Sequence, residues 1–245
     1  MPKSYYLFEE ENGKLEVPEV MKRTQLEKGD HGIRYLTEEG EIYYEFDPSY
    51  KGDKNYDMCE SLTWIHSHNL LLPRSLVYLG EATRDNFVGY TMISPFEASH
   101  ALRRDIPMQR FIESCDEFEH ELKDISEEHQ FVVDRLTPFN VVYTRSNEFK
   151  VFDTELFSLS SEEPYEKYKA SMYEWANYVY DLLGNMPFPI DNEKLNELYK
   201  NSIFYGRCKP SYILSEMKKM IEERQEQEVD TVGSFVDGMH LIRKK

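Results

Sequence analysis

Residues 131–157 read FVVDRLTPFNVVYTRSNEFKVFDTELF, and this stretch decides the fold of the C-terminal half. It opens on an apolar, strand-like run and continues through a polar loop that ends at Asn140. Two β-prone runs, Val141 to Tyr143 and Lys150 to Phe152, flank a short polar turn and predict a hairpin that ends at Asp153. Because the two ends of a hairpin lie side by side, we expect the side chains of Asn140 and Asp153 to lie at the same end.

Asn140 and Asp153 are the first candidate site residues. An amide oxygen and a carboxylate are hard oxygen ligands, suited to a Mg²⁺ ion that also binds nucleotide phosphates. The pair therefore predicts a metal site at the open end of the hairpin. The alternative for each residue is a structural role in the turn, and the spacing alone leaves both interpretations open.

The N-terminal half alternates short β-prone runs with turns. In the run from Glu41 to Phe46, side chains at Ile42, Tyr44 and Phe46 should share one face, since strand side chains alternate. The predicted elements, in chain order, are strands over 32–36 and 41–46, a helix over 53–72, and strands over 75–79 and 87–93.

The C-terminal half is predicted to be mostly helical. Helical spacing of apolar residues predicts helices over 107–129, 165–183, 192–200 and 211–227. A stripe of Tyr173, Ala176, Tyr180 and Leu183 predicts a buried face, and the basic tail over 237–245 is expected to fray. This segregation indicates an α+β protein with a β-rich lobe over 1–94 and a mostly helical lobe over 95–245. We expect the two lobes to meet at a cleft, where ligands usually bind.

Composition excludes several functional classes. The chain has 46 acidic and 29 basic residues, a formal net charge of −17, which disfavours contacts with nucleic acid or anionic lipid. No apolar run approaches the roughly 18 residues that a membrane span needs, and the polar first residues do not resemble a signal peptide. The 3 cysteines are widely spaced and indicate neither a disulfide framework nor a zinc site. We therefore expect a cytoplasmic protein.

These motifs, in this order, resemble those of the protein kinase superfamily in a degenerate form. Residues 136–142 (LTPFNVV) are similar to its catalytic loop, and residues 150–153 (KVFD) to the strand that leads to its metal-binding Asp. Residues 29–35 (GDHGIRY) resemble the second half of its glycine-rich loop. Residues 173–188 are similar to the long central helix of the C-lobe, and residues 209–214 to the turn that opens one of the last helices. The resemblance implies a two-lobed protein-kinase-like fold that binds ATP and Mg²⁺.

The resemblance also implies roles for individual residues. Asn140 and Asp153 would bind Mg²⁺, and Asp134 would orient the hydroxyl of a phosphate acceptor. Gly29 and Gly32 would belong to the loop that covers the phosphates. Either glycine could instead be an ordinary turn residue.

Two of the candidate site positions depart from the family pattern. Arg135 occupies the position of the catalytic Asp, so Asp134 and Arg135 could equally form a surface ion pair. Glu45 stands where the phosphate-binding Lys is expected, and a carboxylate there would repel phosphates. Glu60 on the following helix is the candidate for the partner of that Lys, or is simply a solvated charge. Lys51 and Lys54, just downstream of Glu45, could substitute for the missing Lys.

Three hypotheses follow. The first is an atypical ATP-dependent phosphotransferase that acts on an unknown hydroxyl acceptor. The second is a catalytically inactive pseudokinase that binds a protein partner, which the residues at 45 and 135 favour. The third is an interaction domain without a nucleotide site, whose acidic surface selects a basic partner.

Overall fold

The chain divides into two compact units in this computed structural model. Unit 1 comprises Met1–Phe96 with Phe152–Thr154, and unit 2 comprises Glu97–Val151 with Glu155–Lys245. The described residues are 5–11, 14–16, 23–28, 31–50, 53–94, 98–99, 103–129, 131–133, 135–138, 140–152, 157–184, 186 and 188–244. Unit 1 is mostly strand and unit 2 mostly helix, so the predicted α+β class is confirmed.

Unit 1 is built on a seven-stranded sheet of order β2-β1-β7-β8-β5-β4-β3. The pair β1–β7 is parallel, and the other pairs in the sheet are antiparallel. The four strands predicted in this half are confirmed, and they form two hairpins, β4–β5 and β7–β8. The elements of unit 1 are β1 Tyr5–Glu11, β2 Lys14–Glu16, β3 Arg23–Lys28, β4 Gly32–Thr37, β5 Glu41–Phe46, α1 Asp53–Leu62, β6 Leu70–Leu71, β7 Ser75–Leu79 and β8 Phe87–Ile93.

The helix predicted over 53–72 is wrong in length, since α1 ends at Leu62. The Thr63 hydroxyl donates a hydrogen bond to the backbone carbonyl of Glu60 (2.7 Å) and so competes for the helical ladder at that point. Trp64 follows directly and is 49% exposed. The chain then re-enters extended backbone as β6.

Among the described residues of unit 1, one face of the sheet carries the larger buried cluster, and Tyr43, Val77 and Val88 form a smaller, separate one. Ile42, Tyr44 and Phe46 of β5 lie in a single buried cluster, as their alternation predicted. Tyr44 stacks on Tyr90 of β8 with ring centroids 5.4 Å apart. Cys59 of α1 belongs to the same cluster, so α1 covers this face. We call it the α1 face of the sheet.

Unit 2 contains the main helices and two small strand groups. β11 pairs with β12 and β9, and β10 pairs with β13, all antiparallel. The four predicted helices are confirmed; three shift by one or two residues at their ends, and α4 continues five residues beyond the predicted end at Lys200. The elements are β9 Ala98–Ser99, α2 Met108–Glu128, β10 Phe131–Val133, β11 Val141–Thr144, β12 Phe149–Phe152, β13 Phe157–Leu159, α3 Pro164–Leu183, α4 Glu193–Tyr205, α5 Pro210–Gln225 and α6 Val232–Gly238.

The C-terminal segment packs against unit 2, contrary to the expected fraying. Met239 and Ile242 are buried, and Ile242 is fully so. A Cβ added at Gly238 would overlap a methyl group of Ile221, so α6 approaches α5 closely. The apolar residues at 239 and 242 outweigh the basic end of the tail, because they cover the α5 surface.

The core of unit 2 is centred on Trp175 of α3, whose side chain is fully buried. Its ring centroid lies 4.3 Å from that of Phe118 on α2 and 4.8 Å from that of Phe149 on β12. These contacts join helices α2 and α3 to the β11–β12 hairpin.

Glu119 of α2 is a fully buried carboxyl group within this core. It accepts hydrogen bonds from the backbone N–H of Ser211 (2.8 Å), from the Ser211 hydroxyl and from Nε1 of Trp175 (3.3 Å). Ser211 lies in the first turn of α5, so the carboxyl joins that helix to α2 and α3. Burial raises the pKa of Glu119 to about 7, although the Ser211 hydrogen bonds and nearby Lys209 oppose the rise. Asp116, which is paired with Lys209 at 2.9 Å, adds to the rise.

Candidate functional site

The loop between β10 and β11 is fastened by Asn140, which is only 8% exposed. Its amide oxygen accepts a hydrogen bond from the backbone N–H of Thr137 (2.8 Å). Its amide nitrogen donates to the backbone carbonyl of Arg135 (3.0 Å). Both bonds fit the structural role in the turn. An amide oxygen has two lone pairs, so the bond from Thr137 leaves one for a cation, and the metal-binding role of Asn140 stays a prediction.

Arg135 adopts a left-handed backbone conformation with φ of 52°. A residue with a Cβ is disfavoured there by about 1 kcal/mol, and such strain is concentrated at functional loops. The bond from Asn140 holds the Arg135 carbonyl in place, while the Arg135 side chain is exposed. Asp134, the candidate catalytic residue, lies outside the described residues.

The hairpin that carries the candidate metal ligands is confirmed. Val141 lies opposite Val151, so β11 begins one residue after Asn140 and β12 ends one residue before Asp153. Asp153 itself lies outside the described residues. Within the described ranges, no group of three or more His, Cys, Asp or Glu side chains could hold a metal ion.

In unit 1, Gly32 opens β4 at a point of close packing. A Cβ there would overlap the Glu45 backbone oxygen and would lie 2.8 Å from the Tyr44 ring. The missing side chain is therefore required by the approach of β5 and its aromatic ring. Gly29 lies outside the described residues, and a phosphate-covering role for the two glycines stays a prediction.

The structure does not bring Glu45 and Glu60 together. Tyr44 and Phe46 lie on the α1 face, so alternation along β5 directs Glu45 to the opposite face. Glu60 lies on α1 and accepts a hydrogen bond from the hydroxyl of Tyr56 (3.1 Å). A carboxylate at 45 therefore does not occupy the side of the sheet that faces the helix.

Tyr56 of α1 is partly buried against the sheet. Burial raises the pKa of Tyr56; a hydrogen bond with Tyr78 opposes the rise, and the carboxylate of Glu60 adds to it. The Tyr56 ring packs edge-on against Phe87 of β8 at 5.4 Å. Tyr56 thus packs between α1 and the aromatic side chains of the sheet.

Arg34 of β4 is a cation on the α1 face that sequence reasoning did not identify. Arg34 pairs directly with Tyr44, and residues opposite each other in antiparallel strands share a face. Its guanidinium carbon lies 5.9 Å from the Tyr44 ring centroid and 5.8 Å from that of Phe152. Phe152 is the last residue of β12, immediately before Asp153. Strand alternation from Gly32, two residues earlier, was the signal that could have identified Arg34.

The role of the two candidate substitutes for the missing Lys stays a prediction. Lys51 lies outside the described residues, and of Lys54 only the backbone, within α1, is described.

No helix formed by described residues is both long enough and apolar enough to cross a membrane.

Comparison with known proteins found no family model and no curated protein that matches this chain. The resemblance to the protein kinase superfamily therefore rests on the residues quoted above.

Proposed function

We propose that this chain is a protein-kinase-like domain that binds a nucleotide polyphosphate together with Mg²⁺. The observation that carries the proposal is the position of α1 on the same sheet face as Tyr44 and Phe46 of β5. In protein kinases the third strand of the sheet and the following helix face each other in this way, to hold the phosphate-binding cation. The strands β3, β4 and β5 form consecutive antiparallel pairs before α1.

The order of the remaining elements supports the same proposal. After α1 come β7 and β8, the long helix α2, the loop fastened by Asn140, and the hairpin that runs toward Asp153. The long helix α3 follows and contributes the central tryptophan of its unit. This is the sequence of elements that the family resemblance implies.

Arg34 supplies the positive charge that residue 45 lacks. It lies on the α1 face, and its guanidinium packs on Phe152, the residue before the candidate metal ligand Asp153. A planar guanidinium pairs well with phosphate oxygens, so Arg34 would give the α1 face the phosphate partner that residue 45, on the opposite face, does not supply. Mg²⁺ held by Asn140 and Asp153 would neutralise further phosphate charge.

A thermal-shift titration with Mg·ATP tests the proposal. At a tenfold excess over Kd, ligand linkage stabilises the folded chain by about 1.4 kcal/mol, or roughly 3–6 °C for a chain of this size. A flat melting temperature across millimolar Mg·ATP would reject the nucleotide site. We expect Asp153→Ala to abolish the shift and Asp134→Ala to retain it while removing any turnover. Retained turnover in the second variant would show that another residue is the base.

Arg34→Met tests the role of the cation, because methionine keeps an unbranched apolar stem. We expect the Kd for Mg·ATP to rise at least tenfold, that for adenosine to stay unchanged, and Arg34→Lys to recover part of the loss. Arg74→Met, at an exposed arginine of unit 1 paired with Glu41, is the matched control. Equal losses for ATP and adenosine would assign Arg34 to packing alone.

The second candidate function is an inactive pseudokinase. It is favoured by Arg135 at the position of the catalytic base and by the absence of a lysine from β5. Nucleotide binding without phosphate transfer to water or to hydroxyl compounds would support it.

A further inference from the structure

A groove on unit 2 runs between α3 and the C-terminal end of α4. Its volume is about 450 Å³, in the range of ligand-binding clefts. Its walls combine aromatic rings with carboxylates. The lining includes Glu162, Glu166, Lys169, Tyr173, Phe204 and Tyr205. We call this the α3–α4 groove.

The groove depends on a close approach of α4 to α3. Gly206 ends α4 with φ of 57°, and a Cβ there would overlap the backbone oxygen of Lys169. Asn177 of α3 also donates a hydrogen bond to the backbone carbonyl of Ile203 (3.3 Å). These contacts fix the last turn of α4 against α3, so the residues that line the groove are held in place before any ligand arrives.

The aromatic side chains of the groove are exposed although they belong to ordered helices. Tyr173 is 42% exposed, Phe204 59% and Tyr205 55%. The buried stripe predicted over 173–183 is therefore wrong at Tyr173, while Ala176 lies in the core as expected. Clustered exposed rings of this kind are typical of an interaction surface.

The charges that line the groove favour a positively charged ligand. Three carboxylates, Glu162, Glu166 and Glu174, line it together with one amine, Lys169. Lys169 pairs with Glu166 at 2.5 Å, so the lining keeps an excess of two negative charges (3 − 1). An anionic ligand would be repelled, whereas a cation gains from both the carboxylates and the ring faces.

Two cation–ring contacts lie beside this groove, each between one lining residue and one residue that does not line it. The guanidinium of Arg207 lies 5.1 Å from the Tyr205 ring centroid, and the Lys169 amine lies 5.2 Å from that of Tyr165. Rings at this site therefore accept cations in the geometry that such contacts need.

We propose that the α3–α4 groove binds an arginine-bearing peptide segment of a partner protein. Arginine fits best because its planar guanidinium stacks on an aromatic face and pairs with a carboxylate at the same time. The open form of the groove suits an extended segment. This inference does not depend on nucleotide binding, since every residue in it belongs to unit 2 helices and their adjoining turns.

Fluorescence anisotropy with a short labelled peptide of alternating arginine and leucine tests the proposal. We expect saturable binding in the micromolar range that weakens as salt rises. The same peptide with citrulline, a neutral isostere of arginine, should bind at least tenfold more weakly. Absence of binding at millimolar protein, or equal binding of the citrulline peptide, would overturn the proposal.

Substitutions locate the binding. Phe204→Ser and Tyr173→Ser should each raise the Kd about tenfold, and Glu162→Gln should lower the salt dependence. Tyr212→Ser is the matched control, because Tyr212 of α5 is also exposed (48%) but does not line the groove. Melting temperatures near that of the wild type would show that the exposed substitutions leave the fold intact. An unchanged Kd for Phe204→Ser would place the peptide elsewhere.

Discussion

Glu119→Gln should remove a pH-dependent part of the stability of this chain. The pKa of an unperturbed glutamate is 4.5, whereas the pKa of Glu119 in the folded chain is about 7. The folded state therefore binds a proton more tightly than the unfolded state between those values. The resulting stability is fully present below pH 4.5 and is lost as pH rises through 7. A pKa higher by about 2.5 corresponds to about 3 kcal/mol, most of it lost between pH 5 and 8.

Glutamine has the shape of glutamate and can keep both hydrogen bonds with Ser211. Its amide oxygen can accept from the Ser211 backbone N–H, and its amide nitrogen can donate to the Ser211 hydroxyl. That hydroxyl can then donate to Asp116, whose Oδ1 lies 3.5 Å away. The variant therefore replaces a titrating group by a neutral one of the same shape.

Denaturant unfolding from pH 5 to 8 measures the effect. The difference in unfolding free energy, wild type minus Glu119→Gln, should fall by about 2–3 kcal/mol across this range. Glu128→Gln, at an exposed glutamate of the same helix, is the control for loss of one carboxylate. A difference that stays level would mean that Glu119 does not titrate in this window. A difference that grows with pH would mean that the cluster stabilises the charged carboxylate.

Three further substitutions test local geometry through the free energy of unfolding. Asn140→Ala should destabilise by about 1–3 kcal/mol, because the Thr137 N–H and the Arg135 carbonyl lose their partner, and Asn140→Asp should recover the acceptor half of that loss. Arg135→Gly should stabilise by about 0.5–1 kcal/mol, since glycine adopts its positive φ without strain. Gly32→Ala should destabilise by about 1–3 kcal/mol through the clash with the Glu45 carbonyl. No change for Asn140→Ala, a loss for Arg135→Gly, or neutrality for Gly32→Ala would each contradict the corresponding contact.

Local sequence patterns predicted the helices and strands whose formation depends mainly on neighbouring residues. The β11–β12 hairpin followed from two β-prone runs around a polar turn, and the main helices of unit 2 from apolar spacing. The end of α1 at Leu62 did not follow, because apolar residues continue past it, and the hydrogen bond of the Thr63 hydroxyl to the Glu60 carbonyl is not visible in the apolar pattern. Tyr173 lies on the same stripe as Ala176 but is exposed, since burial there depends on where α4 ends.

The candidate site was predictable only in part. Asn140 was identified from its place at the end of a loop, yet its hydrogen bonds to Thr137 and Arg135 depend on how the loop closes. Glu45 was chosen by position along β5, but its direction depends on which strand face α1 covers. Arg34 was overlooked because its contacts, Tyr44 and Phe152, are distant in sequence. No sequence pattern indicated that Glu119 is buried, since its burial depends on the packing of helices α2, α3 and α5.

The two tryptophans give each unit a different optical signature. Trp175 is enclosed by Phe118 and Phe149 in unit 2, whereas Trp64 in unit 1 already meets solvent. Exposure to water shifts indole emission to longer wavelength, so the spectral change during denaturation reports mainly on unit 2. Pairing that signal with far-ultraviolet circular dichroism would reveal whether the strand-rich unit melts with its helical neighbour or separately.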